Sequence, residues 1–173
     1  MRRIIPFITG GAALAALASP ALAQSSATAT ATASATIIQA ISVTATANLG
    51  FGTIVKPTTG TSTIAVSTAG SRTVTGGGNA VVANAAGVSA ASFLVRGEGA
   101  SAVSVAVPLS FNMTAGTNTL VVTTASTTTA GNLTGSIGTL GTFVVGVGGS
   151  FPLQNTTASG AYSGNLVVTA QYN

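Results

Sequence analysis

Ala27-Thr-Ala-Thr-Ala-Thr-Ala-Ser-Ala-Thr-Ile-Ile-Gln-Ala-Ile-Ser-Val-Thr-Ala-Thr-Ala-Asn-Leu49 alternates apolar residues with threonine or serine almost throughout. Ala27, Ala29, Ala31, Ala33, Ala35 and Ile37 hold one parity, and Ile41, Val43, Ala45, Ala47 and Leu49 continue it. Successive side chains of a strand point to opposite sides, so a period of two describes a strand with one apolar face. A second run, Leu166-Val-Val-Thr-Ala-Gln-Tyr172, repeats the pattern one residue before the last. An alternating strand near each terminus predicts sheet edges offered to another subunit.

From Ile37 onward β-branched runs alternate with glycine-rich turns at short spacing, the signature of an antiparallel sandwich or barrel. The expected strands cover residues 41–47, 49–55, 63–67, 72–75, 80–83 and 91–96. They continue over 102–107, 109–113, 120–124, 142–147, 150–153 and 161–172. Val103, Val105, Val107, Leu109, Phe111 and Met113 share parity, so a bend at Pro108 would join two inward-facing pieces of one strand. Residues 123–131 read as a mobile polar loop. Threonine, valine and glycine dominate, and no 3.6-residue stripe arises beyond a weak one over 80–91, so helix is not expected. Gly76-Gly-Gly78 and Gly146-Val-Gly-Gly149 lack the lysine and the strand-to-helix setting of a phosphate loop and read as hairpin turns. Three Asn-x-Thr sequons, at Asn112, Asn132 and Asn155, are chance matches in a threonine-rich chain.

The side chains leave little for catalysis. The chain has no His, Cys or Trp, and Glu98 is its single acidic residue. General acid–base chemistry calls for titratable partners, glycoside hydrolysis for two carboxylates, and thiol or imidazole mechanisms for absent residues. Metal sites of the usual kinds need cysteine, histidine or several carboxylates. Neither an enzyme nor a bound cofactor or metal is expected. Arg96-Gly-Glu98 reads as a turn with a local charge pair, worth about 0–1 kcal/mol at a surface.

Residues 1–23 read as a Sec-type signal peptide. Arg2 and Arg3 form its basic end, an apolar stretch runs through Ala18, and Ala21 and Ala23 supply the cleavage signature. The apolar stretch is shorter than the ~20 residues that cross a bilayer, and glycine and threonine interrupt every later one. Cleavage before Gln24 leaves an Ala/Thr-rich extension over 24–36, a candidate donor strand that runs on to about residue 41, and a single sandwich domain over 37–173. The remaining cations, Lys56, Arg72 and Arg96, stand against Glu98. Three scattered cations make no basic stripe, so nucleic acid is not an expected partner. With no disulfide possible, stability must come from packing around Phe51, Phe93, Phe111, Phe143, Phe151, Tyr162 and Tyr172.

The C-terminal run carries a resemblance. Gly160 is fourteenth from the end, Tyr162, Leu166, Val168, Ala170 and Tyr172 share a face, and Tyr172 is penultimate. This resembles the terminal motif of chaperone–usher pilus (fimbrial) subunits. The resemblance implies an immunoglobulin-like sandwich lacking its last strand, which a periplasmic chaperone and then the next subunit's N-terminal extension supply in turn. It also implies an outer-membrane usher, a cell-surface destination and neighbouring subunits as partners. The donor face would be Ala27, Ala29, Ala31, Ala33, Ala35 and Ile37. The acceptor strand would carry Gly160, Tyr162, Leu166, Val168, Ala170 and Tyr172. An alanine methyl contributes about 0.8 kcal/mol on burial, against about 1–2 kcal/mol to fix a backbone residue. Backbone pairing and Ile37 would therefore have to anchor such a donor.

A broader resemblance rests on Leu49-Gly-Phe-Gly-Thr-Ile-Val55, Ala91-Ser-Phe-Leu-Val-Arg-Gly-Glu-Gly99, Phe143-Val-Val-Gly-Val-Gly-Gly149 and Gly160-Ala-Tyr-Ser-Gly-Asn-Leu-Val-Val-Thr169. In this order they are similar to a family of small exported Gram-negative proteins of unassigned function. The expectation is a non-catalytic subunit of a surface fibre. Its rival is a self-complete, secreted or surface-attached sandwich that binds a ligand such as carbohydrate.

Overall fold

The computed structural model of the chain describes residues 26–173, so the signal peptide expected over 1–23 lies outside the described residues. Residues 26–35 have no regular secondary structure. Thr36–Asn173 forms one compact unit, described on its own below.

Its strands in chain order are β1 (Ser42–Ala47), β2 (Gly50–Phe51), β3 (Ile54–Val55), β4 (Thr61–Val66), β5 (Arg72–Gly76), β6 (Val81–Val82) and β7 (Val88–Ser89). They continue as β8 (Ala91–Glu98), β9 (Ala102–Ala106), β10 (Ser110–Ala115), β11 (Asn118–Ser126), β12 (Ala130–Asn132), β13 (Leu140–Gln154) and β14 (Thr169–Tyr172). No helix occurs among the described residues. The larger sheet has the order β1-β8-β13-β11-β10, with β4 against β13 and β5 against β4. The smaller is β12-β9-β14, and β2-β7 and β3-β6 are separate ribbons. All pairing is antiparallel, and the sheets curl into a half-barrel of β-sandwich type, in agreement with the all-β expectation.

The 15-residue β13 is the spine. Its first half pairs with β8, from Leu140↔Glu98 to Val147↔Ala91, and its second half with β4, from Gly149↔Val66 to Gln154↔Thr61. On its opposite edge β11 pairs at residues 147–150. The two strands expected here are therefore one, and Gly146–Gly149 is strand interior where a hairpin turn was expected. Bare glycine lets the spine pass close to its neighbours. A Cβ on Gly148 would strike the Val66 carbonyl oxygen, and one on Gly149 would stand 2.8 Å from Val122 Cγ1.

The inward parity of each strand builds two core clusters. The first joins Ala91, Phe93 and Val95 of β8 to Val103 and Val105 of β9, Leu133, and Val145 and Val147 of β13. The second joins Phe51, Ile64, Val66, Val122, Phe151 and Leu153. Within it the Phe51 and Phe151 rings meet edge-on, centroids 4.9 Å apart, the arrangement that aromatic quadrupoles favour.

Other departures have local causes. Gly52, at φ +69°, breaks the 49–55 strand into β2 and β3. Pro108 joins strands of different sheets, so Val103 and Val105 enter one cluster while Phe111 and Met113 pack on the other. Leu109, between them, is 86% exposed instead of facing inward. The loop expected over 123–131 holds the end of β11 and the start of β12, because hydroxyl side chains pair in strands as readily as they coat loops. Gly76–Gly78 is a bend leaving β5, not a hairpin turn. The strand expected over 161–172 keeps only its last third. Ser163 bridges to Thr114 of β10, and the chain crosses to the smaller sheet before β14 pairs with β9.

A clasped seam and an open cleft as candidate functional site

β1 and β14 are edge strands of the two sheets. From β1 and its lead-in, Ile41 and Val43 pack half-buried on the first core cluster. From the other side come Leu166, Val168, Ala170 and Tyr172, also half-buried, while Val167, Thr169 and Gln171 between them are exposed. Of the face read from sequence, Leu166, Val168, Ala170 and Tyr172 pack here while Tyr162 does not, and only the last residues belong to a regular strand.

The seam is fastened at one end by polar groups. The Tyr172 hydroxyl donates to the Gln39 carbonyl oxygen at 2.8 Å and accepts the Glu98 backbone N–H at 2.6 Å. The Glu98 carboxylate, 3% exposed, accepts the backbone N–H of Gln39 at 3.1 Å and that of Gly138. Buried carboxylates survive only with such donors. The tyrosine ring tip lies over Gly97, where an added Cβ would collide with the hydroxyl. The Arg96–Glu98 turn with its charge pair is therefore overturned. Both residues lie within β8, with Arg96 exposed and the Glu98 carboxylate turned to backbone N–H groups. Nothing in the spacing of Gln39, Glu98, Gly138 and Tyr172 foretells their meeting.

The remaining residues of the C-terminal motif lie elsewhere. Gly160 and half-buried Tyr162 line a cleft of about 570 Å³ with Leu49, Phe51, Ile54, Met113, Leu120, Phe151 and Leu153. At its rim the Lys56 ammonium donates to the Thr157 carbonyl at 3.3 Å, and the Tyr162 hydroxyl donates to Ala158 O at 2.9 Å. A second, more open hollow of about 690 Å³ is lined largely by small residues such as Thr68, Ser89, Ser92 and Thr127. Of the expected donor residues, Ala27 to Ala35 fall in the segment without regular structure, and Ile37 in the compact unit is 94% exposed. Among the described residues, no three His, Cys, Asp or Glu side chains gather as a metal site would require.

Fold and site together define a class: an antiparallel sandwich with a clasped edge seam and an apolar cleft. Over residues 41–172 the chain matches the model of a family described as a domain of unknown function (DUF4402), and it belongs to that family. No curated protein and no solved structure matches the chain. The matched span begins just before β1 and ends with β14, so residues 26–40 stand outside the family domain.

Proposed function

We propose that this chain is an exported, non-catalytic structural subunit of a surface fibre, assembled by lending its N-terminal extension to a neighbouring copy. The observation that carries the reading is the pairing of Ile37 and Ile38, 94% and 49% exposed, with a strictly alternating extension ahead of them. Leaving a large aliphatic side chain in water forgoes about 1.5–3 kcal/mol, so two adjacent isoleucines favour a partner surface. A periplasmic chaperone and an outer-membrane usher would guard and order such subunits before they reach the cell surface.

The clasp favours a second reading. Tyr172 ties the C-terminal strand to Gln39 and Glu98 of its own unit, as a self-complete, ligand-binding sandwich would. Deleting residues 24–36 separates the two. A fibre subunit loses its assembled forms in sedimentation, and adding a peptide of residues 25–41 competes with assembly of the full chain. A full chain that sediments as a monomer, unaffected by deletion or peptide, leaves the self-complete sandwich.

A further inference from the structure

We infer that the acceptor for the extension is the apolar cleft of the next copy, between β2–β3 and residues 157–162, and not the β1/β14 seam. The inference rests on the fibre reading and names its docking site. The seam is already filled: Leu166, Val168 and Ala170 cover the first core cluster, and the Tyr172 hydroxyl has both its partners. An incoming strand there would have to displace the protein's own C-terminus.

The cleft lacks such cover. It opens beside the short ribbons β2-β7 and β3-β6, and half-buried Leu49, Ile54, Met113, Leu120 and Tyr162 line it together with the buried Phe51 and Phe151. Between its lips, the peptide groups of residues 159–161 make no backbone hydrogen bond among the described residues, as strand addition needs. Large side chains already line the walls, so a narrow donor of alternating alanines suits the space better than a bulky one. Isoleucine is needed only where the extension leaves the cleft.

The extension departs at Gln39, which Glu98 and Tyr172 hold, whereas the cleft opens at Leu49, beyond the other end of β1. The strand β1 between them, Ser42–Ala47, spans roughly 20 Å. Folding back into its own cleft would spend about half of residues 26–38 on the return. Reaching a neighbour costs no such detour. Because the chain leaves the compact unit at Gln39 and the cleft opens beyond the other end of β1, the contact between copies is heterologous, the kind that grows filaments when its rotation does not close a ring.

The absence of cysteine from the chain makes disulfide trapping clean. In the full exported chain, one cysteine is placed at Ala29, Ala31, Ala33 or Ala35. A second copy carries Ser159→Cys in the cleft or Thr169→Cys on β14, both at exposed positions that leave the core intact. Mild oxidation should link the donor to Ser159→Cys and not to Thr169→Cys. Linkage to Thr169→Cys overturns the cleft and leaves the fibre reading standing, with the seam as acceptor. No linkage to either position also overturns the cleft. Sedimentation of that same sample then decides the fibre reading, which survives if the chain is assembled and falls if it is monomeric.

Discussion

At the scale of single residues, Tyr172 and Gly160 do different work although one motif contains both. Tyr172→Phe keeps the ring over Gly97 but strands the Glu98 N–H and the Gln39 carbonyl. A buried group left unpaired costs about 1–3 kcal/mol. A thermal melt should show that loss as a lower Tm, while assembly of the surviving folded protein stays normal; an unchanged Tm would dismiss the clasp. Gly160→Val should do the opposite. Its Cβ would stand 3.1 Å from that of Ala115 at the cleft, a squeeze a surface segment absorbs, so the melt should move little while assembly falls.

At the scale of elements, β13 is where both core clusters and both halves of the larger sheet meet. Gly148→Val should be among the most damaging single changes, because the spine and Val66 of β4 would have to separate and several ladder bonds would go with them. Soluble yield and loss of the β-type circular dichroism signal measure it. Ile64→Ala on β4, where the side chain is fully buried, should cost about 2–5 kcal/mol by denaturant titration, since the cavity is only partly relaxed. β14 is a lesser element. Removing residues 169–173 takes away the clasp and one edge of the smaller sheet, and should weaken the first core cluster while leaving Phe51 and Phe151 packed.

At the scale of the whole molecule, the fibre reading predicts that an assembly can be closed by design. Fusing residues 25–41 after Asn173 through a flexible linker makes donation intramolecular, at an effective concentration of roughly millimolar. The fusion, with its own residues 24–36 removed, should sediment as a monomer and melt above the deleted chain. An identical melt for the two would show that the segment binds nothing. The linker must reach from the β14 end to the cleft; one too short should fail where a longer one succeeds, since Tyr172 is bonded to Gln39 ahead of β1 while the cleft opens at Leu49 after it.

Strand periodicity and the absence of helix among the described residues were legible from residue order alone, because a strand's side-chain alternation is a local property of its backbone. Leu166, Val168, Ala170 and Tyr172 share a packed face for that reason, whereas Tyr162, read onto the same face, lines the cleft. Local pattern failed where glycine stood for close approach instead of a turn, at Gly146–Gly149. It failed also where a single parity spanned two sheets, at Pro108 and around Ser163. The clasp and the cleft belong wholly to tertiary structure. Gln39, Glu98, Gly138 and Tyr172 lie far apart in the chain, and a buried carboxylate looks the same in sequence as an exposed one until the fold brings its donors to it.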